Sequence, residues 1–397
     1  MADFPTDLSS VADNVDDVLA KHVNNLEAKI GVNDSAVATS LDYYAKVALP
    51  TYSITRQAII NGNFDIWQRG TSVSDFHAGG NYQTADRWGY DATANYVANM
   101  TWSRQSLASG DIAGAFYHMR FAESSGVAAP SGANVMMVGQ KIEHGTRFLA
   151  GAGKKVTLSF WARSDIANKR LGFYLQQDYG AGGTPTSTEI INGDNITLTS
   201  TWTKYTHTFT LNTLSGKTFG TENNDTLRST FSLIWGDDTY DTRVGTDTAE
   251  GFGVGYVDIA QVQLCAGEVA LPFQPKSFED ELAACQRYCY KTSSIDYAYK
   301  TFGVGQCFGT TSAKVWIPFT TAMRDSPTIT VSGAADFAVT KSATGVQAST
   351  ATSASSNSSR DGAYISITTS GNLVAGNATM LMSNNKTTAW IQADAEL

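Results

Sequence analysis

Charge is scarce in this chain. Only 16% of its 397 residues are Asp, Glu, Lys or Arg, well below the ~25% of ordinary soluble domains. Ser, Thr, Asn and Gly fill the gap, a balance that suits β-rich extracellular or virion proteins. Basic clusters are missing and the net charge is −9. The Lys/Arg surface that neutralises phosphate is therefore lacking, which argues against nucleic-acid binding. No apolar run is long enough to span a bilayer, so no transmembrane segment is expected. Met1 to Pro5 lacks the basic and apolar regions of a signal peptide, which predicts folding in a cytosol. Cysteine is limited to Cys265, Cys285, Cys289 and Cys307. Their closest spacing is Cys-x-x-x-Cys, not a zinc knuckle, so buried reduced thiols are expected rather than a metal site.

Catalytic signatures are missing too. There is no Gly-x-Ser-x-Gly elbow and no His-Glu-x-x-His helix, and none of the five histidines sits at metal-ligand spacing from another. No short repeat of the parallel β-helix kind occurs. Asp86, Asp178, Asp237 and Asp238 meet a glycosidase's need for paired carboxylates by residue type only. The expectation is a non-enzyme without a resident cofactor.

Apolar periodicity at the N-terminus, residues 1–48, predicts a helix capped by Asp7 or Ser9 and ended by Gly31. Leu8, Val11, Val15, Val18 and His22 form one stripe. Leu19, Val23, Leu26 and Ile30 form a second, offset as at a coiled-coil stutter. A helix this short needs partners for its stripe. Self-association through Val15, Val18, His22, Leu26 and Ile30 is favoured over packing on the chain's own domain.

Residues 49–275 read as short strands between Gly, Asn, Asp and Ser turns, which predicts a β-sandwich. Asn61-Gly62-Asn63 is a turn, and Phe64-Asp65-Ile66-Trp67 alternates like a strand. Lys155–Arg163 alternates clearly, with Val156, Leu158, Phe160 and Ala162 on one side and Trp161 and Arg163 on the other. Leu171–Gln177 puts Leu171, Phe173 and Leu175 inward and Tyr174 and Gln176 outward. If these two strands pair antiparallel with their apolar faces aligned, two registers fit the connecting loop; one puts Trp161 opposite Tyr174, and either leaves an aromatic, amide and guanidinium strip on the side away from the core. Trp161, Arg163, Tyr174 and Gln176 then offer rings to stack on sugar C–H faces and planar groups for hydroxyls. A surface covered by a neighbouring subunit, or by the loop from Ser106 to Ala133, is the competing reading. Asp86 and Arg87 are expected to pair beside Trp88.

Residues 276–397 begin with a helix capped by Ser277 and led by Glu279, Asp280 and Glu281, with Leu282, Cys285 and Cys289 on one face. Strands follow, interrupted by a Ser/Thr/Ala-rich stretch from Ala338 to Ser359.

Several of these stretches carry a resemblance. Asn61–Ser72, Thr84–Trp88, Ser159–Arg163, Trp202–Tyr205 and Ile259–Phe273 are similar to parts of a jelly-roll domain common in bacteriophage tail-fibre and receptor-binding proteins, itself similar to carbohydrate-binding modules. Ser277–Tyr288 resembles the linker from that jelly roll to a C-terminal head. His22–Glu27 resembles a trimer-specifying coiled-coil motif, with His22 replacing the usual Arg. The resemblance implies a mainly β protein with an N-terminal trimeric α-helical coiled coil, a central jelly-roll β-sandwich and a C-terminal β-sandwich head. It implies a homotrimeric fibre on a virion, bound to phage tail or other virion proteins through its N-terminus. Its target would be a host envelope glycan or lipopolysaccharide. A structural calcium held by Asn63, Asp65 and Asp258 is also implied. A structural fibre or head decoration protein without receptor binding, and a glycan-degrading tail spike, remain open alternatives.

Overall fold

The computed structural model describes residues 54–74, 79–93, 99–341, 345–354 and 358–397. The expected coiled coil, with Val15, Val18, His22, Leu26 and Ile30, lies outside the described residues.

The first unit is built from β1 (Ser72–Ser74), β2 (Gly79–Asn81), β3 (Gly89–Ala92), β4 (Met100–Ser106), β5 (Tyr117–Glu123) and β6 (Val135–Glu143). It continues with helix α1 (Gly145–Leu149), β7 (Lys155–Ser164), β8 (Arg170–Asp178), β9 (Glu189–Thr197) and β10 (Thr203–Thr210). It closes with β11 (Thr226–Trp235), helix α2 (Thr239–Arg243) and β12 (Gly255–Ala266). The strands form two six-stranded sheets, in the orders β1-β4-β5-β12-β7-β10 and β2-β3-β6-β11-β8-β9. Period-two alternation sends Val156, Leu158 and Phe160 of the first sheet against Phe173, Leu175 and Phe231 of the second. The Phe160 ring meets those of Phe231 at 4.8 Å and Phe173 at 5.8 Å, both edge-on.

The expected β7–β8 pairing is corrected. β7 pairs with β10 and β12, and β8 pairs with β9 and β11 in the opposite sheet. The connection between β7 and β8 arches from one sheet to the other. Lys169 in that arch is wholly buried, and its Nζ donates to Leu233 O, Gly251 O and Glu250 Oε1. A buried ammonium with three acceptors pins the arch across the sandwich edge, where a hairpin turn would need none of them.

The Asn61–Trp67 stretch is a folded loop rather than a strand. Asn61 sits at φ 55° and Phe64 at φ 58°. The Asn61 side chain donates to Ile66 O (2.8 Å) and Asp86 O (3.0 Å) and accepts from Ile66 N, while Trp88 Nε1 donates to Asn61 O. Gly62 is required, because a Cβ there would lie 2.1 Å from Val262 O.

The second unit holds helix α3 (Phe278–Gln286), β13 (Cys289–Ser293), β14 (Thr301–Cys307), β15 (Ser312–Pro318) and β16 (Thr328–Val331). It ends with β17 (Phe337–Thr340), β18 (Val346–Ala354), β19 (Gly362–Thr369), β20 (Ala378–Ser383) and β21 (Trp390–Asp394). Ser277 caps α3 by accepting from Asp280 N at 3.1 Å. Cys285 lies on the helix, but Cys289 lies on β13 rather than on its face.

The predicted architecture fails here. The C-terminal unit is not a sandwich but a closed six-stranded barrel, β14-β15-β19-β18-β17-β20, beside a three-stranded sheet, β13-β21-β16. Closure needs close strand approach at β14. A Cβ on Gly305 would lie 1.9 Å from Lys314 O, and one on Gly303 2.4 Å from Trp316 O. The Ser/Thr/Ala-rich stretch contributes β18 to the barrel wall. Among the described residues the chain is mainly β, its three α-helices are short, and none is a coiled coil.

The two units meet on buried charge. Arg87 is wholly buried. It pairs with Glu396, donates to Lys141 O (2.6 Å) and lies 3.5 Å over the Tyr288 ring. Asp86 does not pair with Arg87; it accepts from Gln68 and lies 3.8 Å from Arg69, which also pairs with Asp394 and Glu396. Burial pushes the Asp86 carboxyl up to about 6 despite Arg69 and Gln68. Arg287 grips Glu143 with two hydrogen bonds, and Tyr288 Oη donates to the same carboxylate at 2.6 Å.

Candidate functional site

The outer face of the first sheet carries the richest chemistry away from the core. On β12, Val257 and Ile259 point inward, so Asp258 between them points out. Its register neighbours are Arg163 on β7 and Arg120 on β5. Arg120 donates to Asp258 twice, from Nε to Oδ1 at 2.7 Å and from Nη2 to Oδ2 at 2.8 Å. Arg163 Nε donates to Oδ2 at 2.9 Å, and His118 Nε2 lies 3.2 Å from the same oxygen. One carboxylate thus fixes two guanidiniums and an imidazole.

Burial alone would raise the Asp258 carboxyl. The hydrogen bonds from Arg120, with the His118 imidazole 3.2 Å away, outweigh it and hold the group down at about 2. Asp258 is fully covered, whereas the Arg120 and Arg163 side chains keep 25% and 24% of their surface exposed. The carboxylate is the anchor, and the guanidiniums are the groups that meet solvent.

Aromatic rings flank the clamp. Arg120 lies 3.7 Å over Tyr256, and Arg163 lies 4.6 Å over Trp202. The His118 ring meets Trp202 edge-on at 5.1 Å. Trp161, one alternation step from Arg163 on β7, sits beside Lys204 of β10 and Ala260 of β12. Trp161, Trp202 and Tyr256 are all half-buried. Trp202 Nε1 and His118 Nδ1 are buried without a hydrogen-bond partner among the described residues. Further along the face the chain roofs the sheet, where Gln263 Nε2 donates to Leu271 O and Thr157 Oγ1 donates to Gly267 O.

The four predicted binding residues do not come together. Trp161 and Arg163 lie on this face. Tyr174 and Gln176 belong to the other sheet and point out on the far side of the sandwich. Tyr174 is no surface ring. It is wholly buried with Val135, Met137, Trp235 and Val244, and its Oη donates to Met137 Sδ at 3.1 Å. Gln176 is half-buried between Arg228 and Ile190 of the neighbouring strands. His118, Arg120, Trp202 and Tyr256 were missed, and Asp258 was read for a different role. The signal for Asp258 was a lone carboxylate inside Val257-Asp258-Ile259, an apolar strand that tolerates no unpaired charge.

The residues considered for calcium do not form one donor set. Asn63 Nδ2 donates to Asp65 Oδ2 (2.9 Å), while both Asp258 oxygens are taken by arginine. Among the described residues no group of three or more His, Cys, Asp or Glu is placed to hold a metal ion. All four cysteines are buried and none is in a disulfide.

A family model described as "Carbohydrate binding domain" matches residues 151–226, from just before β7 to the start of β11. Among solved structures, the chain is similar to a putative sugar binding protein from Bacteroides thetaiotaomicron at 12% identity and a TM-score of 0.33, covering 53% of this chain and 100% of that one. It is also similar to a family 11 carbohydrate-binding module from Clostridium thermocellum, in complex with a beta-1,3-1,4-mixed-linked tetrasaccharide, at 11% identity and a TM-score of 0.26. That match covers 49% of this chain and 94% of the module. A third is a xylan-binding domain from Paenibacillus barcinonensis, at 10% identity and a TM-score of 0.25, covering 50% and 94%. No curated protein matches the chain.

Proposed function

We propose that the protein binds glycan, without catalysis, on the outer face of its first sheet. The observation that carries this reading is the set of half-buried rings of Trp161, Trp202 and Tyr256 around two guanidiniums locked by Asp258. Indole and phenol faces stack on the C–H faces of sugar rings. Guanidinium nitrogens held in place donate to ring substituents at little further entropic cost. The family match over residues 151–226 supports the same reading, since it takes in Trp161, Arg163 and Trp202.

A glycan array followed by affinity titration tests it. Wild-type protein is expected to retain at least one polysaccharide class, and Trp161→Ala and Trp202→Ala to weaken that binding about tenfold each, as loss of an anchor ring does at ~1–2 kcal/mol. Absence of binding across bacterial surface and plant polysaccharides overturns the proposal.

The finer reading places this face on a homotrimeric bacteriophage fibre that attaches a virion to a host surface glycan. It is supported by the resemblance of Asn61–Ser72, Thr84–Trp88 and Ser277–Tyr288 to phage fibre sequences. Excess purified protein should then compete with phage for adsorption to host cells, and light scattering should give three chains per particle. Failure of competition favours a structural fibre.

A further inference from the structure

We infer that the ligand of this face is an acidic glycan, one bearing carboxylate or sulfate groups. The inference rests on the glycan-binding reading above and adds the charge of the sugar.

The clamp is unbalanced. Asp258 is a single negative charge with both oxygens committed to Arg120 and Arg163. Arg163 spends only Nε on it, which leaves both terminal nitrogens of its fork for a ligand. Arg120 spends Nε and Nη2 and keeps Nη1. The Arg163 and Arg120 guanidiniums lie over the Trp202 and Tyr256 rings, which hold them in place. Such a fork matches two oxygens of a planar carboxylate or a sulfate, a geometry a lone hydroxyl does not fill.

Lys204 adds a third positive charge, exposed beside Trp161. Among the described residues, the other acid near the clamp is Asp165 at the sheet end, whose Oδ1 accepts from Tyr256 N. Arg120, Arg163 and Lys204 against Asp258 and Asp165 leave the face positive, on a chain whose net charge is −9. A protein of that overall sign repels polyanions, so retention of one requires a local positive site. A face for neutral sugar has no need of an excess guanidinium, because hydroxyls are satisfied by amides and neutral donors.

The test compares four probes by titration at low salt: polygalacturonate, its fully methyl-esterified form, dextran sulfate and dextran. The expected result is tighter binding of at least one acidic polymer than of its uncharged counterpart, by about tenfold, as a charge-assisted pair contributes. That preference should shrink as salt rises. Polygalacturonate alone points to a carboxylate ligand, dextran sulfate alone to a sulfate, and either outcome supports the inference. Arg163→Gln should lower the acidic-to-neutral ratio about tenfold. Lys204→Glu, at an exposed position clear of the clamp, should lower it by about threefold and keeps the test open if Arg163→Gln misfolds. Equal or tighter binding of the uncharged polymers overturns the acidic assignment and leaves glycan binding standing. If these four and every array polysaccharide fail to bind, both readings fall together.

Discussion

Asp258→Asn isolates what the clamp does for the fold. The substitution keeps the side-chain shape but removes the charge that faces Arg120, Arg163 and His118 at 2.7–3.2 Å. The folded carboxyl sits at about 2, against ~3.9 for an unfolded Asp. Because the folded value is depressed, the contribution is present above ~pH 4 and is lost as pH falls through 4 towards 2. Its size is about 2–3 kcal/mol at neutral pH. Breaking a buried pair and leaving its partners unmatched costs ~3–5 kcal/mol. The lower end applies, since both guanidiniums are about a quarter exposed and water screens them. Urea melts of wild type and Asp258→Asn, followed by tryptophan fluorescence at pH 7, 4 and 2, read the gap directly. Most of the eight tryptophans lie in the sandwich, so the signal reports the right unit. The gap should be about 3 kcal/mol at pH 7 and shrink by ~2 kcal/mol at pH 2, where the wild-type carboxyl is itself gaining its proton. Other acid-sensitive groups act equally on both proteins and cancel. A gap that is the same at every pH, or below ~1 kcal/mol at pH 7, refutes the reasoning.

Tyr174→Ala should destabilise by ~3–5 kcal/mol through the cavity left among Val135, Met137 and Trp235, while the folded fraction keeps its glycan affinity; Trp161→Ala should show the reverse pattern in the same two assays. The four thiols should be inert to a thiol reagent in the native state and all react in denaturant, since each is buried and burial pushes the Cys285 and Cys289 thiols well up. Glu396→Gln should cost ~3 kcal/mol by stripping the shared counter-charge from buried Arg87 and Arg69, and calorimetry should show the barrel unit melting separately from the sandwich.

Faces were legible in the sequence; sheet membership was not. Alternation is a local property, so Phe160 against Trp161 and Phe173 against Tyr174 could be assigned inward and outward from side-chain period alone. Which sheet a strand joins depends on what its connection does. The short link from β7 to β8 reads like a hairpin loop until Lys169 is seen buried against Leu233 O, Gly251 O and Glu250, residues more than sixty positions away. The same gap hid the clamp. Arg120, Arg163 and Asp258 come from three strands that are neighbours only in the finished sheet, so no spacing rule joins them. Tyr174 failed for a related reason. It does face away from the core, but Val244, just past α2, folds over it, and a covering element is invisible to strand parity. The barrel was read as a sandwich because strand patterns alone do not separate closure from stacking; the glycines of β14 that permit closure looked like ordinary breaks.

The Asn61–Trp88 stretch, which carries part of the sequence resemblance, turns out to govern the joint rather than the ligand. Asn61 ties Ile66 to Asp86 through one side chain, and Asn61 N donates to Glu281 of α3 at 2.5 Å. Gln68 Nε2 reaches Cys289 O, Arg69 reaches Asp394, and Arg87 reaches Glu396 and Tyr288. Glu281, Cys289, Tyr288, Asp394 and Glu396 all lie in the second unit. A loop that spends its polar groups across a domain boundary has few left for a ligand, and what it fixes is the seat of α3, β13 and β21 against the sandwich. Such a joint is sensitive to sequence in a way a sugar platform is not. A buried Arg or Asp accepts no substitute without losing a partner, whereas a stacking ring can be Trp or Tyr and can slide along a strand by two residues. The stretch is therefore expected to act as a fixed joint, and the ligand-facing rings to tolerate exchange between Trp and Tyr.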